Sequence, residues 1–227
     1  MNTWIKVARY NLARPAYYLV LPGLLPFCFA LGALTSGRSP GHDASGYLAT
    51  FFFYFFAQGV QTIGKSLPFG LTLGASRRSF YSGTALLGLA LSLVSGLVLA
   101  ILQEIERATG GWGLSMRFFQ VPYLLDGPWY ATWLTSTVAL FAMFVYGMWF
   151  GTVFSRWGTL GITAFALAQI LVVAIATVVV GAEHWHVWSA ARTSFAGLTT
   201  LGLTGILAAL AVLLLAGGQA TIRRIAV

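Results

Sequence analysis

The chain has 227 residues, of which 58% are apolar and only 8% are charged, and its mean hydropathy is +0.82. Soluble globular domains carry about 25% charged residues, so this composition excludes a water-soluble fold and predicts an integral membrane protein. The formal net charge is +8, and the single cysteine, Cys28, excludes an intramolecular disulfide.

Residues 1–15 predict an amphipathic helix that lies in the membrane interface. Trp4 and Leu12 fall on its apolar side, Lys6 and Arg9 fall on its polar side, and Pro15 ends it. The apolar run that follows is too long for a signal peptide and lacks a small-residue cleavage site. We therefore expect one transmembrane domain over residues 16–227, with no separate soluble domain.

Six apolar runs of about 20 residues predict an all-α, polytopic protein with six transmembrane helices. The runs are 16–35, 47–64, 82–103, 132–154, 159–181 and 193–217. Their connections alternate between two sides, one with nine cations and no acid, the other with four cations and all five acids. The positive-inside rule then predicts that both termini lie in the cytoplasm, with the chain in a bacterial cytoplasmic membrane. Topology and anionic lipid account for the net charge, so no nucleic-acid partner is needed.

The second predicted span carries a polar stripe among its phenylalanines. At 100° per residue, six side chains fall within one arc of about 80°: Tyr47, Thr50, Tyr54, Gln58, Gln61 and Lys65. Polar groups facing lipid are costly, so this stripe predicts either a hydrogen-bonded helix–helix seam or the wall of a translocation pathway.

The segment "GVQTIGKS", residues 59–66, matches the phosphate-loop pattern G-x-x-x-x-G-K-[ST]. A phosphate loop joins a strand to a helix, whereas this match directly follows the aromatic core of a membrane span. We expect an accidental match, and no ATP hydrolysis by this chain.

The segment of residues 67–80, "LPFGLTLGASRRSF", predicts a short apolar helix followed by the start of the third span. Ser76 suits the N-cap of that span, and Arg77 and Arg78 suit cytoplasmic anchors. An exposed apolar element of this kind predicts docking on a partner or an interfacial turn lying on lipid.

A basic N-terminal helix, six spans, the loop "LGASRRSF" and the segment "EIERATGGWG" together resemble the permease subunit of a small bacterial type-2 ATP-binding-cassette (ABC) exporter. The resemblance implies a dimer of permeases, with a second copy or a paralogue, and two copies of a separate ATPase subunit that binds ATP and Mg²⁺. It implies that the coupling element for the ATPase includes Leu67, Phe69, Leu71, Leu73, Gly74, Ala75, Ser76, Arg77, Arg78 and Phe80. It also implies that the second and fifth spans line the pathway.

In the fifth span, Gln169 lies in mid-membrane. We expect it to donate a hydrogen bond between helices, and its place in a substrate site is the alternative. Two small-residue ladders predict close helix packing. They are Gly88, Ser92 and Gly96 in the third span, and Gly197, Thr200, Thr204 and Ala208 in the sixth.

The outer connections hold most of the acids. Glu104 and Glu106 begin the longest of them, residues 104–131, and at positions i and i+2 they should point to different faces. We expect Arg107 to neighbour them and the connection to form an external lid. Glu183, His184 and His186 stand close together but do not make a complete metal site, so no metal is predicted.

These observations favour a non-catalytic transport subunit, and the aromatic second span favours an amphipathic, lipid-like or peptide-like cargo. The alternative is an ATPase-independent membrane protein, either an immunity or scaffold factor or a secondary carrier. No predicted span holds an acid in its middle, which argues against a proton-coupled carrier.

Overall fold

The structure is a computed structural model that describes residues 46–66, 76–110, 119, 128–183 and 200–222. Within those residues there are four α-helices and no strand, so the all-α prediction is confirmed for this part of the chain. The helices are α1 (Gly46–Gln61), α2 (Arg77–Ala108), α3 (Trp129–Glu183) and α4 (Thr200–Ile222). A π-helical turn, Thr62–Ser66, continues α1. The predicted interfacial helix and first span lie outside the described residues.

Three of these helices are long and apolar enough to cross a membrane. They are Arg77–Ala108, Trp129–Val172 within α3 and Leu201–Gln219 within α4. This is typical of a membrane protein with several spans, as the composition predicts. The total of six spans and the location of the termini stay predictions.

Helix α3 is a hairpin of two arms that reverses at Gly158. This glycine has φ 63° and ψ −154°, outside the helical region. The Tyr146 hydroxyl donates to Gln169 Oε1 at 2.6 Å, although in a straight helix these residues would lie about 34 Å apart. The first arm (129–157) and the second arm (159–183) therefore run antiparallel, and the reversal falls between the predicted fourth and fifth spans.

Helix α2 packs antiparallel against the first arm through its small residues. A Cβ added to Gly88 would overlap the Phe144 ring, and one added to Gly96 would lie 3.0 Å from the Thr137 nitrogen. The predicted glycine ladder is thus confirmed as close helix packing. Ser76, at the start of α2, comes twelve residues before Gly88, and Arg156 comes twelve residues after Phe144. Because both stretches are helical and about 18 Å long, the start of α2 lies level with Arg156.

Helix α1 runs parallel to the first arm at backbone contact. A Cβ on Gly59 would overlap the Phe144 carbonyl oxygen, and one on Gly147 would overlap the Phe56 carbonyl oxygen. Only glycine at both positions lets the two backbones approach this closely. The first arm is consequently the central helix of the described bundle.

Helix α4 also runs parallel to the first arm. The hydroxyls of Thr204 and Thr135 are 2.7 Å apart near one end, and the Tyr81 hydroxyl donates to the Leu215 carbonyl oxygen at 3.4 Å near the other. Thr204 belongs to the small-residue ladder predicted for the sixth span, and its burial confirms that this part of the ladder is a packing surface.

These directions give the bundle two chemically different ends. The basic end holds the π-helical turn, the start of α2 with Arg77 and Arg78, and the hairpin turn beside Arg156. The acidic end holds the close of α2, with Glu104 and Glu106, and the starts of α1, α3 and α4.

The bundle buries hydroxyl-bearing side chains beside its apolar core and exposes many large apolar side chains. Ser92, Thr135 and Ser136 are fully buried, whereas Leu160 is 84% exposed and Leu213 is 69% exposed. In water this arrangement would be unfavourable, because apolar area would be hydrated and polar groups desolvated. In lipid it is expected, since interhelical contacts there use small and hydroxyl-bearing residues.

Candidate functional site

The predicted polar stripe of α1 passes from the surface into the interior. Thr50 is exposed, Tyr54 is half-buried, and Gln58 is only 4% exposed. Gln58 Nε2 donates to the Tyr54 hydroxyl, and Thr62 Oγ1 donates to the Gln58 carbonyl oxygen at 2.7 Å. Gln61 is half-buried further along the stripe.

Two members of the stripe, Tyr47 and Lys65, lie on described helical backbone, but their side chains fall outside the described part. The bond between Tyr54 and Gln58 joins two turns of α1 itself, so the hydrogen-bonded helix seam stays a prediction. The pathway alternative for these residues stays a prediction.

The phosphate-loop match lies on helical backbone. Gly59, Val60 and Gln61 end α1, and Thr62–Ser66 form the π-helical turn. Helical N–H groups bond to carbonyl oxygens of their own helix and cannot cradle a phosphate. The prediction that this segment lies at the end of a helix is confirmed, and Gly59 contacts the first arm through its backbone. That α1 spans the membrane stays a prediction.

The predicted coupling element is described only from Ser76 onward. Ser76 Oγ accepts from the Ser79 backbone nitrogen at 3.1 Å, which confirms that Ser76 caps α2. Arg78 is exposed and Arg77 is half-buried, whereas Phe80 is 1% exposed within the core. Leu67, Phe69, Leu71, Leu73, Gly74 and Ala75 lie outside the described residues.

Gln169 joins the two arms of α3. The prediction of an interhelical hydrogen bond is confirmed, but Gln169 Oε1 accepts from Tyr146 rather than donating. The rings of Trp149 and Phe150 on the first arm also pack against the Phe165 ring on the second arm. The ring centroids are 5.0 Å apart in both pairs. A role for Gln169 in a substrate pathway stays a prediction.

The two carboxylates at the acidic end differ in environment, as their spacing predicts. Glu104 is exposed and pairs with Arg107 at 2.9 Å. Glu106 is fully buried, and its Oε2 accepts from the Phe119 backbone nitrogen at 2.9 Å. Sequence reasoning missed this burial, although the spacing of Leu99, Gln103 and Glu106 at i, i+4 and i+7 could have shown it.

No group of three or more metal-binding side chains occurs among the residues whose positions are described. His184 and His186 lie outside them, and so does most of the predicted external lid of residues 104–131, namely residues 111–118 and 120–127.

A groove of about 600 Å³ lies between α1, the first arm and α4. Its walls include Phe52 and Phe53, then Ala139 and Met143, then Leu207 and Leu210. At 100° per residue, its α1 wall is on the opposite side of that helix from the polar stripe. Sequence reasoning missed the groove, because three helices distant in the chain form it.

One sequence signal does point to the groove. Leu203, Leu207, Leu210 and Leu214 repeat at i, i+4, i+7 and i+11, which places one leucine face along α4. The repeat predicts an apolar face, but it does not show that the face borders a groove.

Comparison with known proteins finds no matching protein family, no matching curated protein and no matching solved structure.

Proposed function

We propose that this chain is the membrane permease subunit of an ABC exporter, driven by a separate ATPase that holds ATP and Mg²⁺. The observation that carries the proposal is at the basic end of the bundle. The connection between α1 and α2 joins two helices that both pack tightly on the first arm, and it ends in Arg77 and Arg78. An ATPase that moves this connection would therefore move the central helix of the bundle.

Two contacts make the bundle suited to transmit such a movement. The backbone contact of Gly59 with the first arm leaves no side chain between the helices to absorb a displacement. At the start of α2, Phe80 and Tyr81 are buried in the core, so α2 cannot shift without carrying its neighbours. Between these contacts lies the π-helical turn Thr62–Ser66, and π-helical turns are frequent at functional sites.

The rest of the proposal follows the sequence. The chain would have six spans and both termini in the cytoplasm of a bacterium, and would pair with a second permease copy or a paralogue. None of its residues would be catalytic, and the polar stripe of α1 would serve the pathway or the seam between the two permeases.

The test is to co-purify the chain with the ATPase encoded beside it and to measure ATP hydrolysis with and without the chain. The discriminating variant is Arg78→Glu, because Arg78 is exposed, whereas Ser76 caps α2 and Phe80 is buried. Exchanging the whole segment would unfold the start of α2 and confuse a folding defect with a docking defect.

Arg156→Glu is the matched control, since it makes the same charge change at the same end but in the hairpin turn of α3. We expect Arg78→Glu to lower ATPase binding and chain-dependent hydrolysis several-fold, and Arg156→Glu to leave both near the wild-type level. Failure to bind any ATPase, or equal effects of the two variants, would overturn the proposal in favour of an ATPase-independent membrane protein.

A further inference from the structure

The groove between α1, the first arm and α4 is a described space that the proposed function does not use. We propose that it binds one acyl chain of a membrane phospholipid, drawn from the leaflet at the acidic end. This site depends on the membrane location of the helices and not on coupling to an ATPase.

The length of the groove fits one leaflet. Its α4 wall runs from Leu203 to Leu214, which is about 16 Å at 1.5 Å per residue. The hydrocarbon core of a bilayer is about 30 Å thick, so one leaflet contributes about 15 Å. A single acyl chain from one leaflet would therefore occupy the groove from end to end.

The shape of the groove suits an acyl chain. An acyl chain is narrow and flexible, so it can follow a groove of about 600 Å³ along its whole length. A helix of a second copy of the chain, about 10 Å wide with its side chains, is the other candidate occupant, and the variants below distinguish the two.

The chemistry of the walls fits a chain without polar groups. The lining is alanine, phenylalanine, methionine and leucine, with Tyr146 as its one hydroxyl-bearing residue. That hydroxyl already donates to Gln169 Oε1. A polar occupant would lose hydrogen bonds to water without gaining a donor from the walls, which is costly.

The position of the groove selects the leaflet. Its α4 wall begins at Leu203, beside the Thr204–Thr135 contact near the acidic end. Trp129 and Tyr130 are exposed about one turn beyond, at the start of the first arm. Exposed Trp and Tyr side chains favour the headgroup level of a bilayer, so a lipid with its headgroup beside them would place an acyl chain directly in the groove.

The test uses the full-length chain in lipid nanodiscs that contain a phospholipid with a diazirine in the middle of one acyl chain. After irradiation, mass spectrometry maps the attached residues. We expect attachment to concentrate on Met143 and Leu207 in the groove, above the level found on Leu93 and Leu97, which are 40% exposed on the outer face of α2.

Two variants fill the groove from different sides. Ala142→Leu fills its floor, and Leu210→Trp fills its rim at a position that is already 48% exposed, where the fold does not depend on tight packing. Both should reduce attachment in the groove to the level of the outer face. Ala90→Leu, at an exposed position on α2, is the matched control and should change nothing.

Two results would overturn the proposal: equal attachment in the groove and on α2, or unchanged attachment in a folded filling variant. Either would mean that the label reports only the lipid that surrounds the whole protein. Loss of dimers in Leu210→Trp without loss of lipid attachment would assign the groove to a second copy instead. Neither result bears on ATPase binding, so this inference and the proposed function can fail separately.

Discussion

Individual glycines decide how closely the helices of this bundle approach. The two glycines of the "GVQTIGKS" segment differ in this respect, because a side chain at Gly59 would meet the first arm and one at Gly64 would not. A Cβ on Gly59 would overlap the Phe144 carbonyl oxygen and lie 2.8 Å from the Met148 nitrogen, whereas a Cβ on Gly64 would meet nothing within 4 Å. If the segment bound nucleotide, both glycines would be needed for the same loop.

The first prediction distinguishes a helix-packing role of this segment from a nucleotide-binding role. Gly59→Ala should force α1 away from the first arm and destabilise the protein by about 1–3 kcal/mol. Gly64→Ala is the control in the same segment and should leave stability within about 0.5 kcal/mol. Reversible unfolding in detergent measures both, and comparable losses for the two variants would contradict the packing assignment.

The second prediction concerns the hydrogen bond between the arms of α3. Removing the Tyr146 hydroxyl or the Gln169 amide leaves the other group without this partner inside the bundle. A double-mutant cycle of Tyr146→Phe and Gln169→Leu should give a coupling free energy of about 1 kcal/mol, the upper range for such bonds in membranes.

Thr163→Val is a suitable reference for that cycle. Thr163 is exposed on the second arm, and its hydroxyl donates to carbonyl oxygens of its own turn. It should show no coupling to Tyr146. A coupling free energy near zero for the Tyr146–Gln169 pair would mean that the bond does not hold the arms together.

At the scale of whole elements, the hairpin of α3 depends on one backbone conformation. Gly158 has φ 63° and ψ −154°, a region that is essentially closed to residues with a Cβ. The aromatic contacts and the Tyr146–Gln169 bond all lie beyond this turn, so they form only if the chain reverses there.

The third prediction follows from that conformation. Gly158→Ala should destabilise the hairpin by about 1–3 kcal/mol, because alanine is strained in this region even though there is space for its side chain. Gly205→Ala, on α4 with no atom near the added Cβ, should instead stabilise the protein by about 0.5–1 kcal/mol through its helix propensity. The two midpoints of unfolding should therefore shift in opposite directions.

The sequence predicts the elements better than it predicts their contacts. Apolar runs, the Ser76 cap and the break before Thr159 are local signals, and each agrees with the described helices. The burial of Glu106 and the groove depend on which helix faces lie together, and no local rule determines that. The π-helical turn was also missed, since its sequence, TIGKS, carries no signal that separates it from an ordinary helix end.

For the candidate site, the sequence predicts which residues are polar within the membrane but not their roles. The spacing of Tyr54 and Gln58 predicts that they share a face, and their hydrogen bond agrees with this. Whether that face borders a neighbouring helix or a pathway depends on contacts beyond this chain, such as those with the proposed second permease and ATPase.

At the scale of the whole molecule, the separation of charges along the bundle axis predicts its orientation in the membrane. Arg77, Arg78 and Arg156 lie at the basic end, whereas Glu104 and Glu106 lie at the acidic end with Arg107. Loops rich in Lys and Arg are retained in the cytoplasm during insertion, whereas Asp and Glu have little influence. The basic end should therefore face the cytoplasm, which also places the α1–α2 connection where a cytoplasmic ATPase can reach it.

The fourth prediction tests this orientation with single cysteines. Cys28 is the only native cysteine, so Cys28→Ser provides a background for Thr159→Cys beside the hairpin turn and Ala108→Cys at the end of α2, both at exposed positions. A membrane-impermeant thiol reagent added to intact cells should label Cys at 108 and not at 159. Permeabilised cells should show labelling at both positions, which controls for reactivity. Labelling at position 159 in intact cells would show that the bundle has the opposite orientation. The α1–α2 connection would then face away from any cytoplasmic ATPase, so the same measurement tests both the orientation and the proposed function.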